Sequence, residues 1–209
     1  MDSALYVTIL MHNLLFPDLH PETSLSAVHC VNTCFYNRTC ASLFYDNNRN
    51  LCYQSNTWFN DRVAGLTTRP GITYYIFHRG DCTDGWVYHK PTNKCFSLLA
   101  VQKTNLDAKR ACSGLSGRLF NIYSAEQNDL VYTVVKRRGK DIWIGINQGQ
   151  GFWRWHEGQA PVFFYWSRSP GTYNCVVFST GTKKWLSVKC GELHWYMCEI
   201  VVPEICNQG

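Results

Sequence analysis

Trp143-Ile144-Gly145-Ile146 is the stretch on which the reading of this chain turns. On its N-terminal side lies Ser124-x-x-Gln127, a capping box that opens a helix. Leu130, Val131, Val134 and Val135 follow and give that helix an apolar stripe to bury. On the C-terminal side come Trp153, Trp155, Glu157-Gly158 and Trp166, then Trp185, Cys190 and Tyr196-Met197-Cys198-Glu199. An aromatic-rich chain of this kind fills limited cores with a few large side chains, and it also favours binding surfaces.

The chain has 209 residues, 45% hydrophobic and 17% charged, which is globular rather than disordered. Eleven cysteines stand at positions 30, 34, 40, 52, 82, 95, 112, 175, 190, 198 and 206. None form a Cys-x-x-Cys pair, so zinc-ribbon and thioredoxin-type chemistry are not supported. Scattered cysteines in small domains read as a disulfide framework and an oxidising, extracellular compartment. Asn37-Arg38-Thr39 is a glycosylation sequon, consistent with that compartment. The net charge of +5 falls entirely in residues 81–209, too weak a bias to imply nucleic acid. It would tolerate an anionic glycan or an acidic protein face. No apolar run reaches the ~18–20 residues that span a bilayer. The apolar run Ala4 to Phe16 has two readings, a signal segment or the first strand of the first domain.

In residues 81–200 the ordered residues resemble a long-form C-type lectin-like domain. Cys82-Thr-Asp-Gly-Trp86 and Cys95-Phe96 match its opening hairpin, and Asp107-Ala108 through Cys112 its first helix. Leu119, Ile122, Ser124, Glu126 and Gln127 match the second helix and its entry, and Trp143-Ile-Gly-Ile146 the core strand. The Trp residues beyond fit the long-loop region, and Tyr196 to Glu199 the closing strand. Asn105 departs from the pattern, since many members have Trp there. The resemblance implies an α+β fold of two helices, two small antiparallel sheets and a long loop region. It also implies the bridges Cys82–Cys95, Cys112–Cys198 and Cys175–Cys190.

In residues 1–80, Ser26 to Cys34 reads as a helix, with Thr23, Ser24 and Ser26 as possible N-caps. Cys30 and Cys34 are four apart and share one helical face. Ser42–Tyr45 and Ile72–Phe77 read as strands, and Asp46–Asn50 as a turn with Cys52 on the strand after it. Cys-x3-Cys-x5-Cys-x11-Cys around a helix and a small sheet resembles the PAN/apple family, which implies Cys30–Cys52 and Cys34–Cys40. The outer cysteine pair of some apple domains is missing. Residues 201–209 form a tail. Its Cys206 is left over, either as a free or capped thiol or as an interchain bridge that makes a dimer.

Sugar-binding members of the lectin-like family bridge to their ligand through calcium, which takes 6–8 oxygen ligands, several of them carboxylates. The positions that supply them read here Ser169-Pro170-Gly171, with Tyr173 in place of an acid, and Trp185-Leu186-Ser187. Neutral hydroxyls do not offset the dehydration of a dication, so no metal or other cofactor is expected. Pro170 invites a cis bond. The candidate ligand contacts are Trp153, Phe163, Tyr165, Arg168, Ser169, Gly171, Tyr173 and Ser187, with Phe164 beside them. Trp143, Trp155, Trp166 and Trp185 are assigned to packing. Lys136-Arg-Arg-Gly-Lys140 reads as cations ending the second helix, where they offset its dipole, or as a sulfated-glycan contact. His156 reads as a solvated turn residue. No nucleophile–base–orienter set and no phosphate loop is present, so an enzyme is not expected. The sequence points to a secreted recognition protein that binds a glycan without calcium, or an extracellular protein.

Overall fold

The computed structural model describes residues 5–16, 18–58 and 66–203. Cys206 lies outside the described residues. The chain divides into two interleaved compact units, residues 1–82 with 87–94 and 202–209, and residues 83–86 with 95–201.

The first unit contains β1 (Leu5–Leu15), β2 (Pro21–Thr23), α1 (Ala27–Tyr36), β3 (Ser42–Asp46), β4 (Leu51–Ser55), β5 (Thr67–Arg79) and β6 (Val87–His89). Five of these form an antiparallel sheet in the order β1-β5-β3-β4-β2. Residues 5–15 are thus a strand of this sheet, paired along β5 from Leu5↔Arg79 to Leu15↔Thr67. Of the three possible caps, Ser26 is the one used, its side chain accepting from His29 N at 3.1 Å. Cys30 and Cys34 are the buried side chains of α1. They are stapled to Cys52 on β4 and to Cys40. One sheet face packs a core around Phe44 and Tyr74, cross-strand partners whose rings lie 4.4 Å apart. The C-terminal carbonyls of α1 are met from outside the helix. Lys90 Nζ donates to Phe35 O at 3.2 Å and to Asn37 O at 2.7 Å, supplying the charge a helix C-terminus favours.

The second unit contains β7 (Lys94–Lys103, all but its first residue), α2 (Asn105–Gly114), β8 (Arg118–Leu119), α3 (Ala125–Val135), β9 (Ile142–Gly149), β10 (Phe152–Trp155), β11 (Cys175–Ser179), β12 (Lys184–Val188) and β13 (His194–Val201). Its ladder runs β12-β11-β9-β13-β7, with β10 on β9 and β8 on β13. The expectation of two small antiparallel sheets is corrected here. Strands β9 and β13 pair in parallel, through Trp195↔Ile142 and Tyr196↔Trp143, and join the two parts into one ladder. Such a pairing links residues more than 50 positions apart and leaves no local pattern in sequence.

Trp143-Ile144-Gly145-Ile146 is buried throughout at the centre of this ladder. Glycine is required at 145, because a Cβ there would stand 2.8 Å from Leu119 O. That closeness lets Gly145 N donate to Phe120 O at 2.9 Å and Gly145 O accept from His156 N at 2.9 Å. Ser124 caps α3 by accepting from Gln127 N at 3.3 Å, and the Gln127 side chain reaches back to Tyr123 N at 2.8 Å, one residue before the cap. Leu130, Val131 and Val135 are buried and Val134 is half-buried. Cys112–Cys198 ties α2 to β13, and Cys175–Cys190 ties β11 to the loop after β12. Cys82 and Cys95 are also disulfide-bonded.

Candidate functional site

Residues 156–174 lie between two antiparallel strand pairs, β9–β10 and β11–β12. Trp185 anchors this segment. Its ring is fully buried, and its Nε1 donates to Asn128 Oδ1 at 3.0 Å. Its backbone N donates to Tyr165 O at 2.8 Å, and its O accepts from Ser167 N at 3.0 Å. The loop therefore runs beside β12 as an irregular extra strand, bridged at Trp166↔Trp185.

The candidate contacts separate into two groups. Trp153 and Phe163 are half-buried and serve packing. The Trp153 ring lies 4.9 Å from Trp166, and Phe163 meets Trp185 edge-on at 5.8 Å and stacks on Tyr165 at 5.9 Å. Tyr165, Arg168, Ser169, Gly171 and Tyr173 are exposed, and Ser187 is half-buried on β12. Tyr165 is 40% and Tyr173 42% exposed. Lys184 Nζ sits 5.7 Å from the Tyr165 ring and Lys189 Nζ 5.8 Å from the Tyr173 ring. The two lysines escape a sequence reading because strand alternation and loop path, not composition, bring them to these rings. Phe152 and Val162, 66% and 86% exposed, add apolar surface to the same region. Phe152 could have been found from its place beside Trp153 in the aromatic run.

Two of the calcium-type positions, Gly171 and Ser187, meet each other. Gly171 N donates to Ser187 Oγ at 2.9 Å. Ser169 and Ser187 supply neutral hydroxyls, Leu186 supplies none, and Lys189 stands nearby over Tyr173. This donor set does not fit a calcium ion. The Ser169–Pro170 bond is trans, against the cis form expected of Pro170.

His156 is corrected as well. Both ring nitrogens are buried without a hydrogen-bond partner, and burial lowers its pKa to about 4, with Lys109 adding to the effect. It is thus a neutral packing residue; the turn around it is exposed, but the ring folds inward. Its neighbour Glu157 accepts from Asn121 Nδ2 at 2.8 Å and pairs with Arg118 at 3.2 Å. Arg118 also donates to the fully buried Glu199 at 2.8 Å. A cavity of about 250 Å³ beside Arg118 is therefore lined by an already paired cation. Asn37 is exposed at the C-cap of α1, and its Oδ1 accepts from Thr39 N and Oγ1 at 3.1 and 2.9 Å. Among the described residues no three His, Cys, Asp or Glu side chains gather as a metal site, and no helix is long and apolar enough to cross a membrane.

The chain matches the Lectin C-type domain family over residues 101–200. It is 28% identical over 141 residues to lactose-binding lectin l-2 of Anguilla japonica, covering 61% of this chain and 78% of that one. It is 28% identical over 131 residues to one subunit of the snaclec coagulation factor IX/factor X-binding protein of Gloydius halys, covering 57% and 84%. In structure it resembles the carbohydrate-recognition domain of the mouse scavenger receptor C-type lectin, with a TM-score of 0.53, 22% identity and coverage of 59% and 99%. It also resembles the cow CD23 domain, with a TM-score of 0.51, 27% identity and coverage of 59% and 98%. The buried Trp-Ile-Gly-Ile strand, the two helices and the Cys112–Cys198 bridge agree with these likenesses, and residues 101–200 form a C-type lectin-like domain.

Proposed function

We propose that the long-loop surface between residues 152 and 189 recognises carbohydrate without a calcium bridge. The observation that carries this reading is the Gly171–Ser187 hydrogen bond, which occupies the one hydroxyl that β12 offers at the calcium-type positions. A dication there would meet neutral oxygens and the Lys189 ammonium in place of carboxylates. The exposed aromatic residues Phe164, Tyr165 and Tyr173 offer stacking surface for sugar rings, with Lys184 and Lys189 over two of those rings and the exposed Arg168 as further donors. The lactose-binding relative supports a sugar ligand.

A second reading, a protein-binding surface with no sugar activity, is favoured by the exposed Phe152 and Val162. The relative whose name records coagulation-factor binding supports it. Under either reading the protein is a secreted binding protein and not an enzyme. Residues 1–80 act as a PAN/apple-like module carrying glycan at Asn37, residues 81–200 as the recognition module, and residues 201–209 as a tail. Cys206 in that tail is a candidate for an interchain bridge. The helix stapled to a five-stranded sheet through Cys30–Cys52 and Cys34–Cys40 supports the first assignment.

The test is a glycan array probed with and without a chelator. Binding that persists in chelator is the expected result. Abolition by chelator would overturn calcium independence, and absence of binding to every glycan would favour the protein-partner reading.

A further inference from the structure

The basic run after α3 does not end a helix in the way its sequence suggests. The last turn of α3 contains no basic residue, and Lys136 is its C-cap. Arg137, Arg138 and Lys140 lie beyond the helix and are exposed. A helix dipole acts mainly within its terminal turn, so it does not account for these three cations.

The run is also one side of a built surface. Thr180, in the β11–β12 turn, donates from Oγ1 to Lys140 O at 2.6 Å and from N to Asp141 Oδ1 at 2.8 Å. Asn128, buried in α3, donates to Lys183 O at 3.0 Å. The loop after α3 and the β11–β12 turn are thereby pinned together, with their lysines on one corner. The Tyr132 ring lies between two of them, 5.2 Å from Lys183 Nζ and 6.0 Å from Lys136 Nζ. Arg138 lies 5.9 Å from the Trp195 ring. Lys183 pairs with Asp129, but among the described residues no carboxylate pairs with Lys136, Arg137, Arg138 or Lys140. Lys136 and Arg138 rest on aromatic rings, which hold them in place without neutralising them.

We propose that this corner is a second ligand site, separate from the long loops, and that it takes a sulfated polysaccharide. Several unpaired cations on a pinned backbone match a ligand with repeated anionic groups. Arginine forks match the oxygen geometry of a sulfate. A disulfide-bonded protein works where sulfated polysaccharides, rather than nucleic acids, are the abundant polyanions. Lys183 and Lys184 are adjacent, yet the first faces Tyr132 and the second Tyr165, so the two sites lie on different sides of the β12 start.

The test uses the full chain and immobilised heparin, with fully desulfated heparin and an unsulfated uronic-acid polymer as comparison arms. Wild type is expected to bind heparin and neither comparison polymer. A triple variant, Arg137→Ala, Arg138→Ala and Lys140→Ala, removes exposed side chains and keeps the Lys140 carbonyl bond. It is expected to bind at least about tenfold more weakly at physiological salt, and its slope of log affinity against log salt is expected to fall by about three. A double variant of the long loops, Arg168→Ala and Lys189→Ala, is expected to retain heparin binding. No binding by wild type, equal binding to desulfated heparin, an unaffected triple variant, or loss in the loop variant instead would each overturn the proposal. The unsulfated glycans of the array read the long loops and heparin reads the corner, so failure of either reading leaves the other standing.

Discussion

Gly171 N and Ser187 Oγ meet at 2.9 Å, and this one bond joins the two stretches that would otherwise face a calcium ion. A calcium site filled to about ten times its dissociation constant would stabilise the fold by about 1.4 kcal/mol. Adding about 1 mM calcium, a concentration that fills sites of extracellular modules, is expected to leave the melting temperature unchanged in a thermal shift measurement. Ser187→Ala is expected to cost no more than about 1 kcal/mol, as one exposed bond is lost. Its effect should appear as weaker ligand binding, because the loop that carries Ser169 to Tyr173 loses its tie to β12.

Asn128 is a stronger determinant of the fold. It is buried, accepts from Trp185 Nε1 and donates to Lys183 O. Asn128→Ala strands a buried indole N–H and a carbonyl. Denaturant unfolding is expected to show a loss of roughly 2–4 kcal/mol. Asn128→Asp keeps the acceptor but loses the donor and buries a carboxylate, so it should not restore stability.

The disulfides are expected to differ in weight according to the chain they close. Cys112–Cys198 spans 86 residues and Cys34–Cys40 spans 6. Loop-closure entropy gives about 4–5 kcal/mol for the first and about 2 kcal/mol for the second. Paired Cys→Ala variants compared by denaturant midpoint would test this order; equal losses would contradict the entropic account.

His89 makes the first unit acid-sensitive. It is 4% exposed; its Nε2 can only donate to Asn56 O, at 3.3 Å, and its Nδ1 pairs with Thr92 Oγ1 at 2.8 Å. Burial, then Lys94 and Lys90, lower its pKa to about 4, the bond to Asn56 opposing them. The unfolded chain takes up this proton near 6.5 and the folded chain only near 4. Stability is therefore full above pH 6.5 and falls as the pH drops toward 4, by on the order of 3 kcal/mol. His156 is lowered to about 4 as well and adds a loss of the same sign. Melting curves between pH 7 and 4 should show the decline, and His89→Gln should make it shallower.

The sequence by itself determined those features whose cause is local or covalent. Ser124 and Gln127 specify a helix start through their own hydrogen bonds. Cys30 and Cys34 share a helical face because they are four apart, and the two bridges expected from the family pattern formed from it. Gly145 and the tryptophans around it marked the central strand, and each is large or absent enough in side chain to admit few alternatives. Tertiary structure alone decided the rest. The parallel pairing of β9 with β13, the inward turn of His156 and the seating of Lys184 and Lys189 over Tyr165 and Tyr173 depend on residues distant in sequence. The same holds for the basic corner, where Thr180 and Asn128 fix two lysine-bearing loops by bonds to backbone carbonyls. Such bonds ask nothing of the identity of the residue that accepts them, so they leave no mark in a sequence.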